Sequence, residues 1–138
     1  MADTVHCVLL ADAAIQEIQL ELIRRTRFNS CDGEQIARSL LANRALWEAV
    51  YMDRVGVVRA GRLPAMALIK LRDMPANIWN VDTLYVLTPD AKSAHALADI
   101  ARIEDWGGEV SVRDNGDEVD DALGGAEDGQ AIVKIWWD

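Results

Sequence analysis

The sequence predicts an α/β or α+β fold: a four-stranded mixed sheet containing a βαβ unit at 79–114, with N-terminal helices packed on it. Three observations lead there. Residues 79–114 read as strand, helix and strand, each with its own start and stop signals. The first third of the chain repeats apolar residues at helical spacing, and Ala131–Trp137 alternates with a period of two. The expected element order is α-α-(α)-β-β-α-β-α-β.

Taken in order, Val8, Ala11, Ile15, Ile18 and Leu22 recur at three- and four-residue intervals, so residues 4–26 are expected to form one long helix. Asp3 or Thr4 would cap it, and Arg24, Arg25 and Arg27 would sit at its negative end. A short strand at 5–10 followed by a helix from Asp12 is the alternative. Asn29–Gly33 is turn chemistry. Asp32 with Gln35 has capping-box spacing, which starts a second helix near Gly33 that buries Ile36, Leu40 and Leu41. A helical piece at Ala45–Met52 follows, carrying Leu46, Trp47, Val50 and Tyr51. Residues 54–64 hold Gly56, Gly61 and Pro64, and read as a seam between a helical half, 1–53, and a sheet-forming half, 65–138, of a single domain. A short strand at Val55–Val58 fits within that seam.

Ala65–Arg72 is expected as a strand, with Ile69 and Leu71 alternating against Lys70 and Arg72. Asp82–Leu87 is apolar on both faces and should be a central strand. Thr88, Pro89 and Asp90 carry helix-start chemistry. The helix then runs to about Asp105 and stops at Gly107–Gly108. Ala94, Ala96, Leu97, Ile100, Ala101 and Ile103 form its apolar side. Glu109–Arg113 resumes as a strand, parallel to the first by the usual crossover rule. A short helix at about 118–123 and the strand Ala131–Trp137 complete the chain.

At 138 residues the chain is long enough to bury about 70% of its unfolded surface, so no disulfide or metal is needed to hold it together. Cys7 and Cys31 form no CxxC pair and are expected as free thiols in a reducing compartment. No secretion signal and no membrane-length apolar run is visible, which points to the cytoplasm. The net charge of −9 is uneven. Residues 104–138 hold eleven acidic and two basic side chains, whereas 24–72 hold ten basic and four acidic ones. That balance argues against a nucleic-acid binder, and allows head-to-tail self-association or a basic protein partner.

Candidate chemistry is sparse. His95, Asp99 and Arg102 share one helix face, which is also how a solvated face reads. His6 and Cys7 are chain neighbours and so do not face each other on a helix. The acidic run 114–121 lacks the spacing of a calcium loop. Arg54, Arg59 and Arg62 flank a glycine-containing loop that has no phosphate-binding motif. No metal or cofactor is expected, and no catalytic residue stands out.

Tryptophan carries the functional reading. Of five, at 47, 79, 106, 136 and 137, the last two are consecutive and must point to opposite faces of a strand. One can be core; the other needs a helix, a partner or a ligand over it. The leading expectation is a non-catalytic module that self-associates, as a dimer, through this strand, with Trp136, Trp137 and Tyr85 in the interface or binding surface. A second reading is a small enzyme or ligand binder with a pocket at the carboxyl ends of the parallel strands, near Thr88 and Asp114. A third is an acidic mimic of nucleic acid that binds a basic protein.

Overall fold

The computed structural model describes residues 8–125 and 128–138. Its centre is a four-stranded antiparallel sheet of β3 (Ala49–Asp53), β4 (Thr83–Thr88), β6 (Ala131–Trp136) and β5 (Glu109–Arg113), in that spatial order. A separate two-stranded ribbon pairs β1 (Arg27–Phe28) with β2 (Cys31–Asp32). The helices are α1 (Ile15–Arg24), α2 (Gly33–Ala42), two short turns α3 (Ala65–Leu68) and α4 (Lys70–Asp73), α5 (Ala91–Ile103) and α6 (Gly116–Ala122). The class is α+β.

One face of the sheet makes the core. Val50, Met52, Leu84, Val86, Val133 and Ile135 alternate along their strands and are all but fully buried. The amphipathic α5 covers this face with Ala94, Leu97 and Ala101, while α1 and α2 add Ile23, Ile36 and Leu40 to the same cluster. Helix α2 starts where expected: Asp32 accepts from the N–H groups of Glu34 and Gln35. Gly33 is required there, because a Cβ would lie 1.9 Å from the Ile23 carbonyl oxygen. Gln35 does not close a capping box; its side chain instead donates to the Glu104 carbonyl at 2.9 Å.

Several expectations need correction. The chain before α1 is not a continuous helix: Leu10–Asp12 is a single 3-10 turn, and Ala13 and Ala14 are extended. Ile15 is therefore 81% exposed, and Ile23 is the buried anchor. The proposed caps Asp3 and Thr4, most of the alternative strand at 5–10, and His6 and Cys7 lie outside the described residues. Leu41 and Ile103 are exposed, each one step round the helix from its buried stripe. Residues 45–52 form no α-helix; a 3-10 turn at Arg44–Leu46 leads into β3, so the sheet draws a strand from the N-terminal half. Val55–Val58 forms no strand and is largely exposed, and Ala65–Arg72 folds as α3 and α4. The chain returns to β4 through a 3-10 turn, with Asn77 at φ 60°. Thr88 does not cap α5. Asp90 does, accepting from the Ser93 N–H at 2.7 Å.

The βαβ unit is not found as expected. Strands β4 and β5 both run antiparallel to β6, so they are parallel to each other, yet β6 lies between them. The sheet is therefore not mixed; every neighbouring pair is antiparallel. The crossover helix spans an empty slot, and the last strand of the chain fills it.

Candidate functional site

The second face of the sheet is only partly covered. Residues 51, 85, 87, 132 and 134 point to it, since their neighbours in each strand point to the core. Two helices rise at its margins. Helix α6 is started by Asn115, which accepts from the Asp117 and Glu118 N–H groups, and is pinned by the fully buried Val119. Helix α1 stands on the opposite side, beyond the β3 edge, and presents Ile15 and Gln19. Between them lies a cavity of about 750 Å³, open to solvent on one side.

The cavity floor is aromatic and aliphatic. Tyr51 and Tyr85 are cross-strand partners whose rings stack 5.2 Å apart at 19°. Leu87 and Ile132, also cross-strand partners, continue the floor towards Val119 and Leu123. Burial raises the pKa of both phenols above the ordinary tyrosine range, and nearby acidic charge acts in the same direction. Both therefore stay protonated at neutral pH and serve as hydrogen-bonding groups rather than bases.

Lys134 rises from the middle of this floor, on β6 between Tyr85 of β4 and Ser111 of β5. It is half-buried and has no carboxylate within ion-pair distance among the described residues. The other cation at the rim, Arg113, is already 3.6 Å from Glu118. In the α1 wall, Gln19 has its Oε1 buried with no donor among the described residues. The neighbouring Gln16 is fully used: its amide donates to the Val50 carbonyl at 2.6 Å and accepts from the Val50 N–H at 3.0 Å.

The residues singled out from sequence fall in different places. Tyr85 is in the cavity. Trp137 is core, 1% exposed, with its indole N–H donating to the Trp106 carbonyl at 2.9 Å. Trp136 points to the second face and is 40% exposed, at the far end of β6 from the cavity. Strand β6 is internal, so the C-terminal strand has no free backbone edge through which to self-associate. Thr88 is fully buried, its hydroxyl 2.9 Å from the Ala131 carbonyl and 3.0 Å from that of Asp90; it holds strand ends together. Asp114 is exposed and meets His95 at 3.1 Å, and neither it nor Thr88 lines the cavity. Asp99 instead lies 3.5 Å from Arg102.

Arg54 is not a free loop cation. It is buried, 3.6 Å from the Asp82 carboxylate, within reach of Asn80, and stacked over Phe28. Arg59 and Arg62 remain exposed. Among the described residues no group of three or more His, Cys, Asp or Glu is arranged to hold a metal, and no helix is long and apolar enough to cross a membrane. The residues that sequence reasoning missed are Lys134 and Tyr51. Lys134 is legible as the one charge in an apolar strand, while the apolar spacing around Tyr51 reads as a helix. No protein-family model matches the chain, and no curated protein or solved structure matches it.

Proposed function

We propose that the chain is a non-catalytic binding module that seats a small amphipathic anion on the open face of its sheet. The ligand has a flat aromatic or aliphatic body and a carboxylate or similar head. The observation that carries this reading is Lys134, an ammonium with no carboxylate partner among the described residues, set in a tyrosine- and aliphatic-lined cavity of about 750 Å³. That volume is in the usual range for small-molecule sites, which are mostly apolar with a few placed polar groups. Protonated phenols and a cation favour holding an anion over acid–base chemistry. Glu118, the carboxylate at the rim, is engaged by Arg113.

Calorimetric titration with a panel of aromatic and medium-chain aliphatic carboxylates tests the reading. A member of the panel should bind, and Lys134→Gln should weaken it about tenfold or more, the scale of one charge-assisted hydrogen bond. Tyr85→Ala should weaken aromatic members more than aliphatic ones. A panel that shows no binding, or binding indifferent to Lys134→Gln, would overturn it.

A further inference from the structure

The sheet has two edges, and the protein treats them differently. At the β3 edge the outward N–H and C=O of Val50 are both taken by the Gln16 side chain. At the β5 edge nothing among the described residues hydrogen-bonds to the backbone from outside the sheet.

The ladder shows which β5 groups are free. The Trp137 N–H donates to the Asp82 carbonyl at 2.9 Å, so residues 133, 135 and 137 turn their backbone polar groups to β4. Residues 132, 134 and 136 then turn to β5, where they meet Arg113, Ser111 and Glu109. Val110 and Val112 are left with both N–H and both C=O groups pointing outward. The same alternation carried through β4 turns Val50 outward on β3, where the Gln16 side chain meets it.

The strand reads Glu109-Val110-Ser111-Val112-Arg113, an acid at one end and a base at the other. We propose that a second copy of this chain pairs antiparallel with it about a two-fold axis at Ser111, extending the sheet to eight strands. In this register Val110 faces the partner's Val112, and Val112 faces the partner's Val110. These are the hydrogen-bonded positions, so all four free groups on each copy are satisfied. Glu109 then lies opposite the partner's Arg113, and Arg113 opposite the partner's Glu109, in the closely spaced pairs. Arg113 is half-exposed beside Glu118 and can reach across without leaving a buried charge behind. Parallel pairing would set Glu109 beside the partner's Glu109, and a two-residue slip would break both ion pairs and half the hydrogen bonds. An isologous contact of this kind closes on itself, as two-fold dimers do. The interface shares Arg113 with the cavity rim, but the two readings part at their tests: the ligand reading stands or falls by Lys134, the dimer by the edge.

Charge exchange tests it. By sedimentation velocity over a range of concentrations the wild-type protein should show a monomer–dimer equilibrium. R113E presents two carboxylates on the edge and E109R two guanidinium groups, so each alone should sediment as a monomer. Mixed in equal amounts they should restore the dimer, because each copy then complements the other. Val112→Pro, which removes an outward N–H without touching the β5–β6 bonds, should also dissociate it. Circular dichroism and thermal midpoints confirm that each variant is folded. A wild type that is monomeric at every concentration overturns the proposal. So does a dimer that survives the single charge reversals, or one that Trp136→Ala dissolves while they do not.

Discussion

Trp137 donates its indole N–H to the backbone carbonyl of Trp106 at 2.9 Å, and both rings are about 1% exposed. The contact joins the end of the last strand to the turn after α5. That turn is tight because Gly108 lies under the Trp137 ring, where a Cβ would come within 2.9 Å of it. Replacing Trp137 by Ala removes a large buried side chain and leaves a carbonyl unpaired, so a loss of about 3–5 kcal/mol is expected. Trp136→Ala, at a 40% exposed position, should cost about 1 kcal/mol or less. Urea unfolding of the two variants should separate them by a wide margin, and similar midpoints would contradict the assignment of one to the core and one to the surface.

Gln16 should protect the β3 edge. It supplies one donor and one acceptor to Val50, which a carboxylate cannot do. Gln16→Glu keeps the acceptor but sets a negative oxygen against the Val50 carbonyl, and about 1–2 kcal/mol of destabilisation is expected at neutral pH. The new carboxyl is more easily protonated in the folded state, so its folded pKa lies above the unfolded value. The deficit should shrink as pH falls through that folded pKa, since a protonated carboxyl again donates to the carbonyl. Thermal midpoints of wild type and variant measured down a pH series would show the gap closing; a constant gap would argue against the edge contact.

How much of this was legible in the sequence depends on which interactions decide each element. Helices α2 and α5 and strands β4 and β6 were readable because caps and periodicity act within a few residues. Asp32 before Gly33, and Lys134 two residues from both Ile132 and Trp136 on one strand face, carry that information locally. Residues 49–53 were not readable in this way. Leu46, Trp47, Val50 and Tyr51 suit a helix as well as Val50 and Met52 suit a strand, and pairing with Leu87 to Thr83 of β4 decides the matter. Once β3 takes that edge of β4 and β6 the other, 65–72 has no edge of β4 to join, and its alternation of Ile69 and Leu71 comes to nothing. The insertion of β6 between β4 and β5 was hidden for the same reason, because alternation names strands but not their neighbours. The cavity followed suit: the outward face of Lys134 could be read, but not the two helices that wall it.

The buried pair Arg54 and Asp82 ties the long 54–82 connection to the sheet. Both side chains are about nine-tenths buried, and Asp82 also accepts from the Thr83 hydroxyl at 2.9 Å. Arg54→Met should therefore be costly, about 3–5 kcal/mol, because it strands a carboxylate in the interior. Adding Asp82→Asn, which keeps an acceptor for Thr83 and removes the charge, should recover much of that loss. A double-mutant cycle in urea measures the coupling, and additive effects would mean that the two charges do not depend on each other.

Cys31 should behave as an inert core residue. It is 2% exposed on β2, and burial, with some help from the Asp32 charge, pushes its thiol up to about 12. Only the thiolate attacks a disulfide reagent, so at neutral pH its reaction should be limited by opening of the structure. Measured in a Cys7→Ser background to leave a single thiol, labelling should be slow in buffer and fast in denaturant. The same shift has a consequence for stability. A thiol whose folded pKa exceeds its unfolded value of about 8.5 favours the folded state below that value. The advantage is lost as pH rises from there towards 12. Cys31→Ala should therefore unfold with a shallower dependence on alkaline pH than the parent, although its baseline stability is lower for the lost packing. Rapid labelling of the native protein at neutral pH, or an alkaline profile unchanged by the substitution, would place the thiol at a reactive surface instead.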